Sequence, residues 1–399
     1  MRFLFIFFLG KVYGFEIAGQ YGLIQAIISF SIYVMGLNFS TFSIREFALL
    51  DKNNNKIFFA SQSIFFISIY FVIFLVAMPV AFLIGYDIKV SIGVFCLAVL
   101  NHMSLELVRI LNSVGQFLTA AALLFLKSVG WVLVLVGLHF YQIISLDFRT
   151  LVMAWMVGEF IVVILCISAA LKVIEPDWLK LDWEWIIKGI RSSAYLLVGA
   201  LAMKGLFTID RFFVGQIMEP EFLGIYIIFL AVANAMTIVT ESAYVPLATP
   251  GLTRLFKLMR YDDFIRAGVR FFRSVLVSST LLAVLAVVFF DSMGGFFKSD
   301  LFIAYRSIFY LIIVTILIHN FGISAQIILY AMREDSLNVS ISVACLIVFM
   351  LAITIGYSFS ESLEFCVPIS LFIAAVAGFV LRSYSIFYCW KKLVVKPTV

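Results

Sequence analysis

Lys127, Glu159, Lys204, Asp210 and Arg211 interrupt stretches that are otherwise Leu, Ile, Val, Phe and Ala. Lys127, Glu159 and Lys204 fall near the middle of apolar runs, and Asp210 with Arg211 follows two turns after Lys204. Glu241 and the pair Glu106/Arg109 lie nearer the ends of such runs. An ionised group at the centre of a bilayer costs about 2.5–3.5 kcal/mol on insertion scales, so these side chains must face protein or a water-filled cavity. Lys204 and Arg211 are seven apart, which stacks them on one helical face with Thr208 between. That stripe suits an anionic head group such as pyrophosphate, because Arg grips phosphate oxygens through two donors while Lys acts as a point charge. Asp210 lies about 100° round the helix from Arg211, facing another helix or positioning a cation. Mutual neutralisation is the competing role: Lys127 pairs with Glu159, and Arg211 with an acid on a neighbouring helix. Glu159, Glu241 and Asp210 are the acids available for H⁺ or Na⁺ coupling, or serve structure alone. Asn234 and Asn320, also at mid-depth, read as interhelical hydrogen-bond glue.

The elements that position these groups follow from composition. The chain has 399 residues, of which 64% are hydrophobic and only 13% charged. Ordinary globular proteins have roughly 45–50% and about 25%. With a mean hydropathy of +1.13, no soluble fold hides that much apolar surface, so lipid is the solvent. A bilayer core needs about 20 apolar residues per helix. Eleven segments qualify: 20–40, 57–84, 90–111, 117–140, 150–171, 193–216, 222–246, 271–296, 304–330, 337–357 and 363–389. The in/out alternation of a membrane barrel is absent, so these are helices.

Residues 1–9 are apolar but too short to cross, and no small-residue cleavage site follows them. An internal repeat explains them. Glu16–Tyr21 and Glu221–Tyr226 both read E-x-x-G-x-Y, both open a helix, and are offset by 205 positions. The same offset makes residues 1–9 the outer half of a first helix whose beginning is missing. The chain then divides into an N-terminal bundle at 1–171, an amphipathic connection at 172–192 and a C-terminal bundle at 193–399. Each complete half holds six helices, so the repeats run parallel, related by an axis along the membrane normal. Twenty cations, Arg382 and Arg254 among them, fall on one side, against Lys11, Lys89, Arg149, Lys298 and Arg306 on the other. The positive-inside rule therefore puts both termini in the cytoplasm.

Several functions are disfavoured. The net charge of +5 is spread over short connections rather than one stripe, so nucleic acid is not a partner. Cys96, Cys166, Cys345, Cys366 and Cys389 form no metal or disulfide pattern. No phosphate loop, HExxH or GxSxG occurs, and His102, His139 and His319 are scattered. The connections are too short for a catalytic domain, so the protein is not expected to be an enzyme. Two connections are amphipathic and are expected to lie in the headgroup layer: 176–192, with Trp178, Trp183 and Trp185, and 253–273, with six cations.

The stretch YGFEIAGQYGLIQAIISFSIYVMGL followed by Arg45, and KGLFTIDRFFVGQIMEPEFLGIY with its Asp210, resemble the polysaccharide transporters. Within these they look like the O-antigen (Wzx-type) flippases of the multidrug/oligosaccharidyl-lipid/polysaccharide (MOP) exporter superfamily. The resemblance implies an all-α polytopic membrane protein with a 12-helix MATE-like fold, its first helix truncated, and two halves around a central cavity. It implies transfer of an undecaprenyl-pyrophosphate-linked oligosaccharide across the bacterial inner membrane during O-antigen or capsule synthesis, by alternating access. Carried over residue by residue, it places Lys127, Lys204 and Arg211 in the cavity, Asp210 at the family's seventh-helix acid, and Arg45 near the inner gate. The implied chain is a monomer, without a cofactor beyond H⁺ or Na⁺, that touches membrane lipids and a glycan-assembly polymerase or glycosyltransferase. Two alternatives remain: a multidrug or cation antiporter of the same superfamily, which would want cavity acids, and a membrane-embedded polymerase or ligase.

Overall fold

A computed structural model describes residues 2–49, 52–85, 87–143, 147–359 and 363–395. Among the described residues every regular element is helical. In order they are α1 (Arg2–Val12), α2 (Phe15–Gly36), the short α3 (Ser40–Leu49), α4 (Lys52–Leu83) and α5 (Ile88–Ser113). There follow α6 (Phe117–Phe140), α7 (Phe148–Ile174), α8 (Trp183–Ile217), α9 (Pro220–Lys257) and α10 (Tyr261–Val288). Two short helices, α11 (Phe290–Phe297) and α12 (Asp300–Ala304), precede α13 (Arg306–Ala331), α14 (Asp335–Phe359) and α15 (Leu363–Val395). Eleven of these, α2, α4 to α10 and α13 to α15, are long and apolar enough to cross a membrane. The protein is a multi-pass membrane protein.

Boundaries are set by local chemistry. Gly85 and Gly115 adopt φ of +88° and +84° between successive spans, a region that side chains resist. Asp87 and Asp147 cap α5 and α7 by accepting from the amides of Lys89 and Thr150, both at 2.8 Å. The Thr150 hydroxyl and amide hold the exposed Asp147 carboxyl below the usual carboxylate range. The expected span at 271–296 instead ends at Val288, because Phe290, Phe297 and Phe302 turn into an aromatic cluster with Phe229 and Phe309.

Neither amphipathic connection is a separate surface helix. Residues 183–192 are the first turns of the 35-residue α8. Trp185 is only 5% exposed, stacked on Phe58 at 4.4 Å and edge-on to Phe39 at 5.2 Å. Its burial offsets more apolar area than a headgroup layer would, so the aromatic face turns inward. Residues 253–273 are likewise the end of α9 and the start of α10, joined by a tight turn in which Met259 has φ +57°.

The chain forms two compact units. One comprises Met1–Phe5 and Leu23–Leu197, the other Ile6–Gly22 and Val198–Val399. The division therefore falls inside α8 rather than in 172–192, and residues 6–22 join the second unit. In the first unit α5 and α7 pack through Leu107, Leu111, Val162 and Cys166. In the second, α13, α14 and α15 form a tight trio. Here too the two E-x-x-G-x-Y segments meet. A Cβ on Gly19 would lie 3.0 Å from the Gly224 nitrogen, and one on Gly224 would lie 1.9 Å from the Phe15 carbonyl oxygen. Only glycine permits that approach.

Candidate functional site

In the first unit, α6 widens into a single π turn at Leu126–Gly130, and Lys127 is buried within it. Such bulges in helices often mark functional positions. The Lys127 ammonium donates to the Asn101 carbonyl at 3.0 Å, the Ser104 hydroxyl at 2.5 Å and the Glu159 carboxylate at 3.1 Å. All three of its hydrogens are thereby engaged. Glu159, fully buried, also accepts from Asn101 Nδ2 at 2.8 Å, Ser104 Oγ at 3.0 Å and Trp155 Nε1 at 3.3 Å. Lys127 and Glu159 thus neutralise each other in a saturated cage. The cage borders a cavity of about 280 Å³ lined by Gln25, Ser29, Asn101, Lys127, Ser128 and Trp155, so Lys127 both pairs and lines.

A second buried network lies along α5. The Tyr70 hydroxyl meets His102 Nδ1 at 2.6 Å, and His102 Nε2 lies 3.8 Å from Glu106. Glu106 accepts from Arg109 at 2.5 Å and from Gln62 at 3.4 Å, and Arg109 reaches Ser40 at 3.1 Å. Glu106, Gln62 and Tyr70 border an apolar cavity of about 210 Å³.

In the second unit, Lys204 is exposed, Thr208 buried and Arg211 half-buried on the same helix. Asp210 is fully buried and accepts from the Tyr226 hydroxyl at 2.9 Å. It faces α9, away from the Lys204/Arg211 stripe, and the tyrosine it meets belongs to the second E-x-x-G-x-Y segment. Arg211 Nε and the second Asp210 oxygen lack hydrogen-bond partners. Glu241 is exposed on another π turn, Thr240–Tyr244. The Arg45 side chain lies outside the described residues. Asn320 accepts from Thr237 at 3.0 Å and donates to Ser279 at 3.4 Å, bridging three helices.

One buried cation was misplaced by sequence reasoning. Arg382, assigned to an inner tail, is 1% exposed inside the second unit and donates to Ser342 at 3.3 Å. The signal available in the sequence is its position within the apolar run 363–389. Among the described residues no group of His, Cys, Asp or Glu is arranged to hold a metal ion. None of the five cysteines forms a disulfide, and all but Cys96 are buried.

No protein-family model matches the sequence, and no curated protein matches it. Solved structures do. The inward-facing conformation of a multidrug resistance MATE family transporter of the MOP superfamily is similar at a TM-score of 0.78 and 12% identity, over 98% of this chain and 94% of that one. A MATE in complex with MaL6 gives 0.67 at 11% identity, covering 98% and 93%. The outward-facing conformation of a multidrug resistance MATE family transporter gives 0.60 at 13% identity, covering 98% and 92%. At such identities the shared property is the fold.

Proposed function

With a MATE-type fold as the premise, we propose that the protein is a flippase for an undecaprenyl-pyrophosphate-linked oligosaccharide, an O-antigen or capsule repeat unit, in the bacterial inner membrane. The observation that favours an anionic cargo is the fate of the buried acids. Glu159 is paired with Lys127 and Glu106 with Arg109, and Asp210 is turned to Tyr226, so two of these three buried acids are already matched by a cation. Lys204 and Arg211 keep a common face from which Asp210 is turned away. In low dielectric such a stripe attracts a diphosphate strongly. The head group needs this polar lining because it cannot enter hydrocarbon, while its lipid tail stays in the bilayer.

Alternating access supplies the movement: the site opens to each face of the membrane in turn, as the inward- and outward-facing names of the structural neighbours describe for those proteins. In this reading Lys127 contributes to the lining, both termini are cytoplasmic, and no covalent chemistry is performed. Coupling to H⁺ or Na⁺ would fall to Glu241, since Glu159 is held by Lys127. Multidrug transport, in keeping with the multidrug resistance named for two of the structural neighbours, is the second reading and is favoured by the fold alone.

Deletion of the gene in its host tests the proposal. Lipid-linked sugar should accumulate on the inner leaflet and surface polysaccharide should disappear. Wild type should restore both, whereas Lys204→Ala and Arg211→Ala should restore neither at equal membrane levels. Normal surface polysaccharide with heightened drug sensitivity would overturn it in favour of drug export.

A further inference from the structure

Arg382 on α15 is 1% exposed. Among the described residues no carboxylate forms an ion pair with it. Its Nη2 donates to Ser342 Oγ at 3.3 Å and to the Met203 sulfur at 3.6 Å, while Nε has no hydrogen-bond partner. A guanidinium offers five donors in a rigid fork and cannot shed its charge, and a thioether is a weak acceptor. An unpaired cation inside a membrane protein is strongly disfavoured, so one that is retained marks a site short of an anion.

The surroundings are built for the fork. A Cβ on Gly322 or Gly378 would lie 3.3 or 3.4 Å from Nη1, so the two glycines leave the guanidinium its space. A second cation is near. Lys204 follows Met203 in the chain and is exposed. His319, packed against Phe207 at 4.6 Å, lies in the electrostatic field of both Arg382 and Lys204. All of these residues belong to the second unit.

We propose that Arg382 is an oxyanion-binding residue that, with Lys204, takes a phosphate group. The anion replaces the Met203 sulfur on Nη2 and completes Nε, and Ser342 holds the fork in orientation. Met203 is unbranched and flexible enough to swing aside. This assignment rests on the anionic-cargo reading, but it requires only a phosphate and no particular glycan.

Thermal unfolding of the purified full-length protein in detergent tests it, with inorganic pyrophosphate and farnesyl pyrophosphate as probes. Both should raise the melting temperature of wild type, the farnesyl compound at lower concentration when the phosphate is a lipid head group. An equal response to the two identifies a free anion as the ligand of the same site. Arg382→Gln should abolish the shift, while Arg382→Lys should retain it with a half-saturating concentration at least tenfold higher. Lys204→Gln should weaken it similarly, and Met203→Leu should leave it intact. Should Arg382→Gln fail to fold, the Lys and Lys204→Gln variants still decide. An unchanged midpoint in them, or no shift in wild type with either probe, overturns the assignment. Loss of the glycan-flipping reading in the deletion strain would leave the pyrophosphate shift standing, so the two failures are separable.

Discussion

At the residue scale the buried charges fall into two classes. Lys127 and Glu159 are saturated by one another and by Asn101, Ser104 and Trp155. Removing one partner leaves the other charge buried and uncompensated, at a cost of about 3–5 kcal/mol, whereas removing both can be nearly neutral. Lys127→Met and Glu159→Gln should therefore each lower the melting temperature sharply, and the double variant should recover most of the loss. Additive losses in a thermal unfolding series would show that the pair is not coupled. Arg382, 1% exposed with an unpartnered Nε, belongs to the other class, and Lys204 and Arg211 lie closer to the surface. The sequence exposes Lys204 and Arg211 through their seven-residue spacing. It conceals Arg382, since an Arg near the end of an apolar run is ordinarily read as reaching for the interface. Only the packing of Ser342, Met203 and the two glycines around it shows that it does not.

At the element scale, the spans were legible because length and continuous hydrophobicity alone decide them, with most ends shifting by a few residues and those of α8, α9 and α10 by up to about ten. Phe15–Gly36 and Phe117–Phe140 sit where the apolar runs do. The junctions were not legible. Trp185 sits in a segment with the composition of an interfacial helix, and its inward turn depends on Phe39 and Phe58, which are distant in sequence. The π turns at Lys127 and Glu241 leave no mark in periodicity. The repeat at Glu16 and Glu221 was visible, yet that its two glycines touch was not. Gly224→Ala would press a methyl group onto the Phe15 backbone, which cannot yield, so a loss of about 1–3 kcal/mol or more is expected. At Gly22 the nearest atoms belong to the Ile227 side chain, at 2.5 Å, which can rotate. Gly22→Ala should therefore lower the melting temperature less than Gly224→Ala, and the reverse order would discount the glycine contact.

At the scale of the whole molecule, composition fixes the solvent and the repeat fixes the two-part plan, but neither fixes which segments belong to which unit. Orientation remains a matter of charge. A reporter fused near Tyr86 should be accessible from outside and one near Ser113 from the cytoplasm, as the distribution of Lys and Arg requires. Cysteine accessibility or alkaline phosphatase fusions would read this directly, and the opposite pattern would invert the topology.

The assignment of residues 6–22 to the second unit has a consequence for biogenesis. These residues leave the ribosome ahead of the segments that receive them. The surfaces that receive them, Gly224, Phe297 and Phe302, are made some two to three hundred residues later. At about 5–20 residues per second that is a wait of tens of seconds. During it residues 6–22 belong to a half-made protein, and the Gly19 face that Gly224 will cover has no neighbour. The interval exposes the nascent chain to insertion chaperones and membrane proteases, and makes the later-synthesised segments the ones that complete the earlier-synthesised turn.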